Sequence, residues 1–279
     1  MTTLNPSTYL NTTHINECTK HLVSAILWKF LAIMCCLLGF PASMMVLREL
    51  LQRRRSSDFF MFSLTTSDTI FIVLIPASTL YSLLWPTEAI DWIYNFMDAL
   101  SLFSRPLFMA CICAECYFAV VHPIMYMTNR KGLVIRRVTS VIIWLGAICF
   151  TLVKCFVSGA TKYLFNGTPL FIALPVITVC DISILQALKK TDPSGNTNIH
   201  PQKKQALHTI TYSFTMTVFA YLPAMISFTL AGLIPNILQC IAETFGFCFS
   251  MTGSFMMPIL YLDSVGKLNT FKELWRKYI

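Results

Sequence analysis

Apolar runs of about 20 residues recur from one end of this sequence to the other, and each matches the ~20 residues a helix needs to cross a hydrocarbon layer of about 30 Å. Seven such runs are expected, over residues 22–47, 58–84, 94–120, 133–157, 169–188, 205–232 and 237–262. They are rich in Leu, Ile, Phe and Met and do not alternate in polarity. That texture predicts helices, because barrel strands would be near ten residues long with a period of two. Across 279 residues the chain is 56% hydrophobic and 12% charged, with a mean hydropathy of +0.64. A soluble domain of this length cannot hide so much apolar surface. The expected fold is an all-α membrane protein, a seven-helix bundle in the membrane.

The net charge of +8 raises the question of nucleic acid, and its placement answers no. Of 21 Lys and Arg, 16 lie on the side that holds Arg48, Arg53 to Arg55, Arg130, Lys131, Arg136, Arg137, Lys189, Lys190, Lys203, Lys204 and the C-terminal Lys267, Lys272, Arg276 and Lys277. Lys20, Lys29, Lys154 and Lys162 fall on the other side, and Arg105 is inside a span. The positive-inside rule then places the N-terminus outside and the C-terminus in the cytoplasm, which an odd number of spans requires. The lipid bilayer is the partner this pattern implies. Residues 1–21 form an extracellular N-terminus, 22–262 the membrane domain and 263–279 a cytoplasmic tail. The first 20 residues lack the pattern of a removable signal peptide, so the first span is expected to act as the anchor.

Asn11 and Asn166 begin glycosylation sequons, both on the predicted outer side. Prolines 41, 76, 106, 175, 223 and 258 sit within six of the spans, where neighbouring helices can satisfy the carbonyls they free. The longest connection, 191–204, is a Pro/Gly/Asn-rich turn segment. No internal repeat is visible, which speaks against a transporter made of duplicated halves. After Tyr261, Val265, Leu268, Phe271, Leu274 and Trp275 share one helical stripe flanked by basic residues. This predicts a short amphipathic eighth helix on the inner surface. No nucleophile, base and orienting residue come together in the sequence, so no enzyme activity, cofactor or metal is expected. Cys111, Cys113 and Cys116 resemble a metal cluster but lack a fourth ligand, and read as small buried apolar residues.

The end of the third run narrows the family. Glu115-Cys116-Tyr117, followed by apolar residues and His122-Pro123, resembles the third-helix signature of class A, rhodopsin-like G-protein-coupled receptors. Other landmarks follow that family's order: Asp68 in the second span, Trp144 in the fourth, Pro175 in the fifth, "FAYLP" ending at Pro223 in the sixth, and "MPILY" with Pro258 and Tyr261 in the seventh. The chain also departs from the family. Ser43 and Ser63 stand where asparagines are usual, Tyr221 where Trp is usual, Ser183 where Tyr is usual, and Met257 where Asn precedes Pro. Cys116 replaces the arginine that in the family reaches the G-protein interface and pairs with the adjacent carboxylate.

The resemblance implies a plasma-membrane receptor that binds an extracellular small molecule or peptide and signals to a heterotrimeric G protein through Glu115, Cys116, Tyr117, Pro223, Pro258 and Tyr261. A non-signalling relative, acting as a scavenger or a heteromer partner, is the alternative that Cys116 keeps open. Arg105 lies 11 residues before Cys116, about 16 Å up a helix and near the midplane. A buried arginine needs a partner, and Asp68 is the expected one, its guanidinium standing where the family holds a sodium ion. Asp98, two turns further out, matches the position of the amine-binding aspartate of related receptors; a helix-capping aspartate at the outer surface is the other reading. Leu102, Phe103 and Tyr221 complete the expected ligand contacts, with Phe219, Phe228 and Phe247 as further pocket lining. The family's usual bridge has no cysteines here, and a Cys18–Cys240 link is what the resemblance implies instead.

Overall fold

The computed structural model describes residues 22–53, 58–84, 88–128, 132–154, 156–157, 161–190, 201–234 and 237–267. All regular structure among them is helical: α1 Leu22–Met34, α2 Phe40–Arg53, α3 Phe59–Leu84, α4 Glu88–Val121, α5 Pro123–Thr128, α6 Gly132–Lys154, α7 Thr161–Lys190, α8 Pro201–Met216, α9 Leu222–Leu233 and α10 Ile237–Ser264. Two π-helical segments, Cys35–Gly39 and Thr217–Tyr221, join α1 to α2 and α8 to α9. Among the described residues, five helical stretches are long and apolar enough to cross a membrane: Asn95–Val121, Gly132–Lys154, Phe165–Ala187, Ile210–Leu233 and Ile241–Ser264. Phe59–Leu74 is a shorter apolar stretch of the same kind.

The π segments have a cause in the sequence. Each is followed by one residue and then proline, Phe40-Pro41 in the first case and Leu222-Pro223 in the second. Proline has no N–H to donate and its ring crowds the carbonyl four residues back. The turn before it widens: Phe40 N–H bonds the Cys35 carbonyl and Leu222 N–H that of Thr217, five residues back in both.

Several boundaries differ from the sequence expectation. The fifth run was expected from 169, yet α7 starts at Thr161, and Pro169 lies inside it. The third run was expected from 94, but α4 begins at Glu88. Pro201, expected within the long turn segment, opens α8 instead, where its missing N–H costs nothing. The last helix ends in a Schellman arrangement: Gly266, at φ +73°, lets its own N–H reach the Asp263 carbonyl and the Lys267 N–H reach that of Leu262. The predicted eighth helix, apart from its first residues, lies outside the described residues.

α4 occupies the centre and packs on α3, α6, α7 and α8, while α10 closes against α1, α2 and α9. Its core face carries Ala99, Leu102, Phe108, Met109 and Cys113. Polar side chains within the spans are satisfied in two ways. Thr65, Thr66, Thr69, Thr151, Thr178, Thr229 and Thr252 donate to the carbonyl four residues back, which removes the need for water. Ser63 and Ser67, one turn apart on α3, instead bond Ser140 of α6 and Ser104 of α4, each at 3.1 Å. Small hydroxyls at these positions let the backbones approach.

Candidate functional site

Three charged centres are strung along α4, in its outer, middle and inner thirds. In the middle, the structure brings Arg105 and Asp68 together: Arg105 Nε donates to Asp68 Oδ1 at 2.8 Å, and both side chains are almost wholly buried. The other guanidinium nitrogens donate to the Ser250 carbonyl of α10 at 2.6 Å and to Ser101 Oγ at 2.8 Å. The Phe71 ring lies 5.5 Å below the guanidinium carbon. Gly253 allows the close approach of α10, since a Cβ there would stand 3.5 Å from Arg105 Cδ and 2.9 Å from the flexible tip of Met216. Asp68 Oδ2, Tyr221 Oη, Ser43 Oγ and Ser254 Oγ are buried without a partner among the described residues.

In the outer third, Asp98 is not a helix cap. α4 starts ten residues earlier, and Asp98 is 3% exposed in the interior. Its Oδ2 is 3.3 Å from Lys154 Nζ. Lys154, expected among the outward-facing charges, is buried at the end of α6, and its ammonium also lies 5.5 Å from the centre of the Phe247 ring on α10. A second pair, Lys162 of α7 with Glu243 of α10 at 3.8 Å, is partly exposed. Leu102 is buried beneath Asp98, whereas Phe103 turns toward α6, with its ring 4.8 Å from that of Phe150 and 3.3 Å from a Cβ at Gly146. Phe228 and Phe247 form a buried edge-to-face pair at 5.1 Å. Phe219, expected in the pocket, is 60% exposed on the outside of its π segment and does not line it.

Asn166 also departs from expectation. It was read as an outer-loop glycosylation acceptor, but the early start of α7 places it within a helix at 0% exposure. A wholly buried amide cannot present itself as an acceptor in the folded chain. Neither of its side-chain polar atoms has a partner among the described residues. Asn11 and Cys18, and the Cys240 side chain, lie outside the described residues.

At the inner end, Glu115 pairs with Arg136 of α6 at 2.5 Å. Tyr126 of α5 completes a triangle. Its hydroxyl donates to Glu115 Oε1 at 3.0 Å and accepts from Arg136 Nη2 at 2.7 Å. Burial, and next the Glu115 carboxylate, push the Tyr126 phenol above its ordinary range, so it stays a donor. Tyr117 Oη is 3.4 Å from His122 Nε2. Glu115 therefore takes an arginine from α6, at a level where its own neighbour is Cys116. Pro223 opens α9, Pro258 is buried in α10 and Tyr261 packs at the edge of the core.

A fourth polar chain escaped the sequence reading. Cys113 Sγ donates to Ser213 Oγ at 3.1 Å, and Ser213 donates to Asp181 Oδ2 at 2.7 Å, joining α4, α8 and α7. Nothing but the isolated acid in an apolar run marks Asp181, and its partner is a serine 32 residues away. Among the described residues no group of three or more His, Cys, Asp or Glu gathers that could hold a metal ion.

A family model described as "7 transmembrane receptor (rhodopsin family)" matches residues 42–169, from near the end of the first expected span to the start of the fifth. No curated protein matches the chain.

Proposed function

We propose, from the match to the rhodopsin-family seven-transmembrane model over residues 42–169 and from helical stretches long and apolar enough to cross a membrane, that the chain is a plasma-membrane receptor with seven spans and an outer N-terminus. It binds an extracellular small molecule or peptide in the outer half of the bundle, around Asp98, Leu102 and Tyr221. Phe103 supports that wall from the α6 side. Occupancy shifts the population toward a state that engages a heterotrimeric G protein on the inner face.

The observation that carries this reading is the arrangement of α4. One helix bears a buried ion pair near its outer end, another at its middle and a partly buried one at its inner end, and each ties it to a different set of neighbours. A change in the partners of Asp98 is thereby felt by the helix that carries Glu115. The Asp68–Arg105 pair stands where the family holds sodium, a built-in cation in place of a bound one. At the inner face, Glu115, Cys116, Tyr117, Pro223, Pro258 and Tyr261 form the coupling surface, with Arg136 supplying the guanidinium that position 116 lacks.

Basal G-protein activation in cells, for the native chain and Cys116→Arg at matched surface expression, tests the signalling half. Signal from both is the expected result. Signal from Cys116→Arg alone would make the native chain a non-signalling relative and overturn the assignment.

A further inference from the structure

Asp181 differs from the other acids in the described membrane-spanning stretches. Asp68, Asp98, Glu115 and Glu243 meet Arg105, Lys154, Arg136 and Lys162 in turn, and Asp263 is exposed at the end of α10. Asp181 lies inside the Phe165–Ala187 stretch and is 8% exposed, and no cation reaches it among the described residues. Its partner is a neutral hydroxyl: Ser213 Oγ of α8 donates to Oδ2 at 2.7 Å and accepts in turn from Cys113 Sγ of α4. Ser213 and Cys113 are wholly buried.

An ionised carboxyl at membrane depth is costly unless a cation pairs with it. As the neutral acid, Asp181 fits these surroundings, with Oδ2 accepting from Ser213 and Oδ1 carrying the proton. Nothing close by competes for that proton. The titratable side chains that face Asp181 are Cys113 from α4 and Cys180 from its own helix. On α8, Tyr212 bonds His208; in the π segment, Tyr221 lies toward Arg105 and Asp68; α9 carries no titratable side chain. One turn beyond Ser213, α8 runs into the π segment Thr217–Tyr221, the kind of place where helices bend. A bend that carries α8 off α7 takes Ser213 from the carboxyl and admits water, in which an aspartic acid ionises at neutral pH.

We propose that Asp181 is a proton-binding site, which holds a proton while α4, α7 and α8 are together and gives it to water when α8 leaves α7. The site stands on this geometry; the release rests on the receptor reading, in which the inner face opens. The closed state binds one proton more than the open state, so raising the pH favours opening, by up to about tenfold per pH unit.

Two measurements on the purified full chain in micelles test the proposal. Infrared difference spectra at neutral pH, native minus Asp181→Asn, should contain the carbonyl stretch of a protonated carboxylic acid. In Ser213→Ala that band should remain and move to higher frequency, as it does when a carbonyl loses a hydrogen bond. This variant serves where Asp181→Asn does not fold. For the release, Cys113 is labelled with a water-soluble maleimide and read by peptide mass spectrometry. Labelling is compared at each pH with Asp181→Asn, or with Asp181→Leu where the amide does not fold, which cancels the thiol's own titration. The native-to-variant ratio should rise with pH by up to about tenfold per unit. A carboxylate signature in place of the acid band, or a band unmoved by Ser213→Ala, would overturn the proton site. An acid band with a labelling ratio that ignores pH would overturn its release. Neither measurement needs a G protein, so a chain that does not couple can still show both, and a coupling receptor without the band defeats this proposal alone.

Discussion

Removing either half of the Asp68–Arg105 pair should not cost the same. In Asp68→Asn the guanidinium keeps the Ser250 carbonyl, Ser101 Oγ and the Phe71 face but loses its only anion among the described residues. It cannot shed its charge. Breaking a buried pair costs about 3–5 kcal/mol, and the three surviving contacts set the expectation at the low end, about 3 kcal/mol. In Arg105→Met the stranded carboxylate can neutralise itself by taking up a proton, which caps the loss at about 1–2 kcal/mol. The double variant Asp68→Asn with Arg105→Met removes both charges together and should cost well under the sum of the two single variants, since removing a whole buried pair strands neither charge. Equilibrium unfolding in mixed micelles, followed by tryptophan fluorescence, measures all four species. Single costs that add in the double variant to within about 0.5 kcal/mol would show that the groups do not interact and refute the pairing. A larger loss in Arg105→Met than in Asp68→Asn would refute the charge argument. The same Arg105→Met protein reports on the cation's origin: its melting temperature should rise on replacing potassium by sodium, while the native chain stays indifferent.

Two other perturbations follow from the same geometry. Gly246→Ala would place a Cβ 2.8 Å from the Phe228 ring, which is locked against Phe247, and should cost about 1–3 kcal/mol in the same unfolding assay, relieved by Phe228→Leu. At the inner face, Arg136→Glu should loosen α5, seen as faster amide exchange over 123–128, and Glu115→Arg combined with Arg136→Glu should restore protection; equal exchange in all three proteins would count against the triangle.

Legibility from the sequence followed sequence distance and periodicity. The Asp68–Arg105 contact was readable because an arginine near the midplane needs a partner, and the family resemblance, which sets a sodium site around the second-span aspartate, pointed to Asp68. Lys154 was misread because a lysine at the end of an apolar run is ordinarily a solvated flank, and only the tertiary course of α6 turns it inward. Asn166 was misread for a related reason: Gly167 and Pro169 signal a loop, yet α7 tolerates both, with Gly167 giving room to Phe228 and Phe171. Arg136 looked like one more cytoplasmic charge among four in its loop. Its direct pairing with Glu115 is completed by Tyr126 of α5, a short helix that no apolar period announces. The two π segments could have been anticipated from the aromatic or leucine residue that precedes Pro41 and Pro223, had local hydrogen-bond slippage been considered beside the proline kinks.

The partners of Arg105 also arrive at different times during synthesis. Asp68 lies 37 residues earlier in the chain, while Ser250 comes 145 residues later. At about 5–20 residues per second, the Ser250 carbonyl emerges roughly 7–30 s after the arginine. The carboxylate is therefore already waiting when Arg105 enters the bilayer, and it is the ion pair that makes the insertion of the third span tolerable on its own. Lys267, which closes on Glu49 from the far end of the chain, is later still. The nascent protein thus shelters this buried charge early and closes the ring of helices last, when the helix that carries Ser250 arrives.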